Sequence, residues 1–241
     1  MSAKTHLTFV EHLEELRRGI LVSLAAILAG TTLSYLVSDQ ALKFFLGPIR
    51  DQIGQAYFFS PAEAFVVKIK VSMFLGILSA SPVVLGQCWS FVSPALTLKE
   101  KNSFLPLVAV TSFFFLVGTF FCFYVVMPPA LHFLVGMQSE YLQPMISVTE
   151  YISFLTGLSL AFGVAFNLPV VILGLVQAGI LRSAVIRRYH RHAIVFIFIL
   201  AAVLTPGPDI ASQLLLAAPL LILFEISAAL AKWLEQRRAG S

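Results

Sequence analysis

Glu100 closes the stretch Trp89-Ser90-Phe91-Val92-Ser93-Pro94-Ala95-Leu96-Thr97-Leu98-Lys99-Glu100, a short loop between two long apolar runs. A carboxylate ringed by Phe91, Pro94 and Leu96 would meet an arginine in partly desolvated surroundings, where a charge-assisted hydrogen bond is worth about 1.5–3 kcal/mol. A companion stretch lies near the N-terminus, Glu11-His12-Leu13-Glu14-Glu15-Leu16-Arg17-Arg18. There Phe9, Leu13, Leu16 and Ile20 share one helical face with Glu15 beside it, which predicts an amphipathic helix running along the cytoplasmic interface into a first span. Two such carboxylates, Glu15 and Glu100, could read two adjacent guanidinium groups. That chemistry is capture of a basic peptide, not the making or breaking of bonds. Both acids also have a plainer reading. Thr97 and Glu100 have the spacing of a helix capping box, and Glu11, Glu14 and Glu15 would form a solvated face, with Glu14 paired to Arg18 at i, i+4.

Enzyme chemistry finds little support. His6, His12, His132, His190 and His192 lie at or beyond the ends of apolar runs, and no pair shares metal-ligand spacing with a carboxylate. No serine occurs in a Gly-x-Ser-x-Gly pattern, and no Gly-rich phosphate loop with a following lysine is present. The best enzymatic rival, an intramembrane protease, would need a nucleophile and a base within the spans, and neither is identifiable. No catalytic residue, cofactor or metal is expected. Cys88 and Cys122 sit in or beside apolar runs and read as packing residues.

The elements that hold the two carboxylates belong in a membrane. With 59% hydrophobic and 12% charged residues, the chain is too apolar for a soluble domain. A net charge of +4 could point to nucleic acid, but the lysines and arginines gather in short loops between apolar runs, so lipid is the expected surrounding and nucleic acid is not. A helix needs roughly 20 residues to cross a hydrocarbon core of about 30 Å. Six runs are candidates: Gly19 to Val37, Ala64 to Gln87, Phe104 to Met127, Tyr151 to Val176, Ala193 to Leu204 and Ile210 to Leu230. A backbone in lipid must satisfy its own hydrogen bonds, so the fold class is all-α, a single integral membrane domain over 1–241. Gly19 to Val37 follows the basic pair Arg17-Arg18, but no small-residue cleavage site follows it, and it reads as a retained helix. Ala193 to Leu204 would reach only about 18 Å, so either it continues into Arg187 to His192 or the membrane thins around it.

Helix starts are written in the capping spacing at Thr8 with Glu11, Ser60 with Glu63, Thr97 with Glu100 and Ser147 with Glu150. Pro82 and Pro169 predict kinks. Gly157, Ala161 and Ala165 form a small-residue stripe suited to close helix contact. Of the 16 lysines and arginines, twelve fall on one side of the six runs and four on the other, which predicts both termini and the loop 88–103 in the cytoplasm. Polar groups inside the runs are few. Glu225 is a functional candidate by position, with a buried partner or a water contact favoured for it. Asn167 would bond to a neighbouring helix, Gln213 would hold a partner helix, and Asp209 would cap the last helix.

With these residues in place, the chain resembles the TatC family, the signal-peptide receptor subunit of the bacterial twin-arginine protein translocase. His12-Leu13-Glu14-Glu15-Leu16-Arg17 is similar to the family's N-terminal motif, and Phe91-Val92-Ser93-Pro94-Ala95-Leu96 with Glu100 to its first cytoplasmic loop. Phe162-Gly163-Val164-Ala165-Phe166 before Pro169, and Leu204-Thr205-Pro206 through Asp209, Ser212, Gln213 and Phe224-Glu225, are similar to its later spans. The resemblance implies a cup-shaped six-helix protein of the bacterial cytoplasmic membrane that exports folded cargo using the proton motive force. It implies that Glu15 and Glu100 contact the arginine pair of the signal peptide, and that His12, Leu13, Leu16, Arg17, Phe91, Pro94 and Leu96 shape the site. Pro48 matches a family position in the first outward loop. Thr205 and Gln213 match polar positions where the single-span partners TatB and TatA dock, and self-association is implied as well. Two departures stand out: Asn167 where the family usually has a glutamate, and Gly207 between Pro206 and Pro208. The alternative is a small-solute secondary transporter, which predicts broken helices and polar residues converging at the midplane.

Overall fold

The computed structural model describes residues 9–49, 57–92, 104–136, 145–177, 181, 183–204 and 210–239. Its elements are α1 Phe9–Tyr35, α2 Ser38–Phe45, α3 Pro61–Val92, α4 Phe104–Phe121, α5 Met127–Gly136, α6 Val148–Phe166, α7 Leu168–Gln177, α8 Ser183–Arg188, α9 His190–Leu204 and α10 Ile210–Ala239. Five stretches are long and apolar enough to cross a membrane: Leu13–Tyr35, Pro61–Phe91, Leu105–Phe133, Val148–Val176 and Gln213–Arg237. The all-α expectation stands. The one β feature among the described residues is an isolated bridge between Tyr57 and Ser147, which ties the chain entering α3 to the start of α6.

The expected short helix is α9. It begins at His190, with Arg187 and Arg188 in the separate α8 across a turn at Tyr189. At ~1.5 Å per residue it reaches about 22 Å, longer than the apolar run alone but still short of an average bilayer.

Prolines act unevenly. α3 runs through Pro82 and α10 through Pro219 without interruption. Before Pro169 the fourth span breaks at Asn167, so that Pro169 falls in the first turn of α7, where its missing amide removes no ladder bond. Pro128 and Pro129 follow a π turn, Cys122–Val126, in which the Met127 N–H donates to Cys122 O, five residues back.

Caps form at Ser60 and Ser147, where the spacing placed them; Thr8, the Glu11 side chain, Thr97 and Glu100 lie outside the described residues. The Ser147 Oγ accepts from the amides of Thr149 and Glu150 at 3.2 and 3.4 Å. Ser60 Oγ accepts from Ala62 N–H, while Glu63 reaches back one residue further than a standard box, to Phe59 N–H at 3.2 Å.

Two apolar cores hold the bundle. One joins the π turn, α6, α7, α9 and α10 around Phe162, Leu216 and Leu220; the other joins α2, α3, α5 and α6 around Ile49, Val71, Met127 and Leu155. The close helix contacts are not those of the predicted stripe, since a Cβ on Gly157 would meet nothing within 4 Å. They are made by Gly118 and Gly163 between α4 and α6, and by Gly30 and Gly76 between α1 and α3. A Cβ on Gly30 would lie 2.9 Å from Gly76 O, and one on Gly118 would lie 2.6 Å from Phe162 O. Spacing within one helix cannot report which small residue faces a crossing.

Polar bonds cross the same packing. Tyr151 Oη donates to Phe45 O at 2.8 Å, Lys70 Nζ to Ser153 Oγ at 2.6 Å, and Lys68 pairs with Asp39 at 2.7 Å.

Candidate functional site

α1 and α3 pack along one another, and the glycine pair Gly30 and Gly76 sets their closest approach. Toward the start of α1 and the end of α3 a cavity of about 540 Å³ opens between them. Glu15, Leu16 and Ile20 line it from α1, and Gln87, Ser90 and Phe91 from α3. Leu24, Ile27 and Val84 continue the apolar wall inward. Glu15, Gln87 and Ser90 thus stand at one end, and a wall that is apolar but for Ser23 leads away from them.

Glu15 presents a carboxylate on the cavity wall, and the last described turn of α3 carries no basic residue. A planar guanidinium offers five donors to such an acceptor.

Of the sequence-predicted residues, the structure brings Glu15, Leu16 and Phe91 together on this cavity. Leu13 and Arg17 are exposed on α1. His12 belongs to α1, but its side chain lies outside the described residues, as do Pro94, Leu96 and Glu100 altogether. Glu14 and Arg18 do not pair; the ion pairs among the described residues are Lys68 with Asp39 and His190 with Glu225. Residue-type reasoning missed Gly19, Ser23, Gln87, Cys88 and Ser90 as lining residues. The spacing of Gly19, Ser23 and Ile27 at four marks a helical face, and was the available signal. Cys88, read as a packing residue, is exposed, whereas Cys122 is buried as expected.

The other predicted residues are dispersed. Pro48 lines a groove against the π turn. Asn167 is buried at the break between α6 and α7, and its Nδ2 donates to Gly163 O of its own helix at 3.1 Å rather than to a neighbouring one. Its Oδ1 has no hydrogen-bond partner among the described residues. Gln213 Nε2 donates to Phe198 O at 2.9 Å, so it holds α9 of the same chain. Glu225 is not buried: its side chain is 56% exposed, with His190 Nε2 at 3.2 Å from Oε1. Hydropathy placed it inside a run, but it faces outward from α10 toward the start of α9. Thr205 and Asp209 lie outside the described residues.

A family profile described as Sec-independent protein translocase protein (TatC) matches residues 11–219. The chain belongs to the TatC family. The TatC of Carboxydothermus hydrogenoformans is 39% identical over 231 residues, 96% of this chain and 95% of that one. The TatC of Aquifex aeolicus is 36% identical over 226 residues, 92% and 93% of the two chains. A solved structure described as the twin arginine translocase receptor TatC superposes with a TM-score of 0.85 at 36% identity, covering 92% of this chain and 99% of that one. The TatC assignment makes this a multi-pass membrane component of a protein translocase, not an enzyme. It also sets aside the solute-carrier alternative. Polar groups of the spans support the same conclusion, because Asn167 is turned to its own backbone and Glu225 to the surface, instead of converging.

Proposed function

We propose that this TatC chain, as a single membrane domain, is the receptor for twin-arginine signal peptides and organises the export of folded proteins. The supporting observation is the cavity that joins Glu15 to Leu16 and Phe91. A signal peptide has two parts to satisfy, a basic motif and an apolar segment. The carboxylate suits the first, and the apolar wall from Leu16 to Ile27 suits the second. Glu100, Pro94 and Leu96 follow α3 directly in sequence and complete the arginine site in this reading, with His12, Leu13 and Arg17 beside it. The charge asymmetry of the loops puts this end in the cytoplasm with both termini, in a bacterial cytoplasmic membrane.

TatA and TatB dock on α9 and α10 in the same reading, with Thr205, Asp209 and Gln213 placing the surface. Short α9 leaves the adjacent lipid thinned, which eases passage of cargo driven by the proton motive force. The exposed thiol of Cys88 gives a direct test, because it lines the cavity while Cys122 is buried. A twin-arginine signal peptide is expected to protect Cys88 from a maleimide in the membrane-reconstituted protein, with Cys122 unreactive throughout. Labelling of Cys88 at an undiminished rate under saturating peptide would refute occupancy of the cavity.

A further inference from the structure

A second concavity, of about 480 Å³, lies between α2 and the π turn and is walled by Lys43, Phe44, Pro48, Phe123, Tyr124 and Pro128. The rings of Phe44 and Phe123 stack with centroids 4.9 Å apart, and Tyr124 meets Phe44 edge-on at 6.5 Å. Lys43 contributes an exposed ammonium with no carboxylate partner among the described residues.

Across the groove, covalent structure removes the donors of one carbonyl. Tyr124 C=O would bond to the amide four residues on, which is Pro128, or five residues on, which is Pro129, and neither has an N–H. The remaining nearby amide, of Met127, donates to Cys122 O. A helical carbonyl points along the axis toward the residue four further on, so this acceptor lies where Tyr124 and Pro128 meet at the groove wall. Within a membrane span, an acceptor without an intrahelical donor is costly unless a donor arrives from elsewhere.

The groove therefore pairs a cation with an acceptor that the next turn of its own helix leaves without an N–H donor, across an aromatic floor. It also sits toward one end of the spans, because α2 begins three residues after the first span ends at Tyr35, while Tyr124 and Pro128 fall in the last ten residues of the third, Leu105–Phe133. We propose that it binds the head group of a phospholipid carrying a primary ammonium, of the phosphatidylethanolamine class. The phosphate accepts from Lys43 Nζ, the ammonium donates to Tyr124 O and lies against the rings, and an acyl chain follows the Phe44 and Phe123 stack. A trimethylated head group has no proton for the carbonyl, and a glycerol head group has no cation for the rings. Charge complementarity thus selects one lipid class. Pro48 acquires a place in the wall of this site, separate from the peptide cavity.

The test is native mass spectrometry of the full chain in mixed micelles holding equal amounts of phosphatidylethanolamine, phosphatidylcholine and phosphatidylglycerol with identical acyl chains. Phosphatidylethanolamine is expected to be retained about tenfold over phosphatidylcholine, the factor set by one charge-assisted bond. Lys43→Gln should lower retention of phosphatidylethanolamine and phosphatidylglycerol alike. Pro128→Ala restores an amide to Tyr124 O and should reduce phosphatidylethanolamine to the phosphatidylcholine level. Lys43 is exposed, so its variant keeps the test decisive if Pro128→Ala fails to fold. Equal retention of the three lipids by the unaltered chain, or undiminished retention of phosphatidylethanolamine in Lys43→Gln, overturns the proposal.

Discussion

Glu15 on α1 and Phe91 at the end of α3 line one cavity, so the acidic N-terminal motif and the last turn of α3, which takes in the expected loop's start at Trp89 to Val92, form a single surface. The two meet because α1 and α3 pack along their lengths, drawn together at Gly30 and Gly76. Disturbing that crossing should therefore act on the cavity as well as on stability.

Gly76→Val is expected to destabilise the detergent-solubilised protein by about 1–3 kcal/mol, because the added atoms meet the Thr31 backbone and cannot be accommodated by a side-chain rotation alone. Gly157→Ala, with open space at its Cβ, should leave stability unchanged or raise it by up to about 1 kcal/mol. Thermal unfolding of the two variants beside the parent checks both. Equal melting temperatures for the two variants would remove the glycine crossing from the account.

The bond from Gln213 Nε2 to Phe198 O ties α10 to α9 near the end opposite the His190 and Glu225 contact. Gln213→Leu is expected to cost about 1 kcal/mol, the usual scale for an interhelical bond in a membrane. Hydrogen exchange of the α9 amides should rise in that variant. Unaltered protection of α9 would mean that apolar packing alone holds it.

Asn167 tests the bond assigned at the break between α6 and α7. Asn167→Asp removes the donor to Gly163 O and sets a carboxylate against a carbonyl, whereas Asn167→Leu removes the donor and the unpartnered Oδ1 together. Leaving a buried group unsatisfied costs more than replacing it by an apolar one, so Asn167→Asp should be the less stable by about 1–3 kcal/mol. Denaturant titration of both variants measures the difference, and the reverse order would contradict the assigned hydrogen bond.

Much of this was legible in the sequence, and for physical reasons. Apolar runs of spanning length gave the helices, and the Ser60 and Ser147 spacings gave two starts within a residue. The short fifth run was recognisable because its length alone forbids an easy crossing. What could not be read is whatever depends on how two helices meet. Of the stripe Gly157, Ala161 and Ala165, Ala165 is buried in the core but Gly157 faces open space, while Gly30 and Gly76 carry no mark in either helix alone. Glu225 has a hydrophobic address and an exposed side chain, because a run's mean hydropathy says nothing of rotation about its axis. For the site, residue chemistry singled out Glu15, Leu16 and Phe91, and packing supplied Gln87, Ser90 and Gly19 around them.

The measurement that tests the central claim most directly is the affinity of a twin-arginine signal peptide for the purified protein, compared with its Lys-Lys version and with the Glu15→Ala protein. The account predicts about tenfold or greater loss in each comparison, since one charge-assisted bond is worth about 1.5–3 kcal/mol and lysine cannot reproduce the planar fork of arginine. Equal affinity for both peptides, undiminished by Glu15→Ala, would contradict it and leave the cavity without a role in reading the arginine pair.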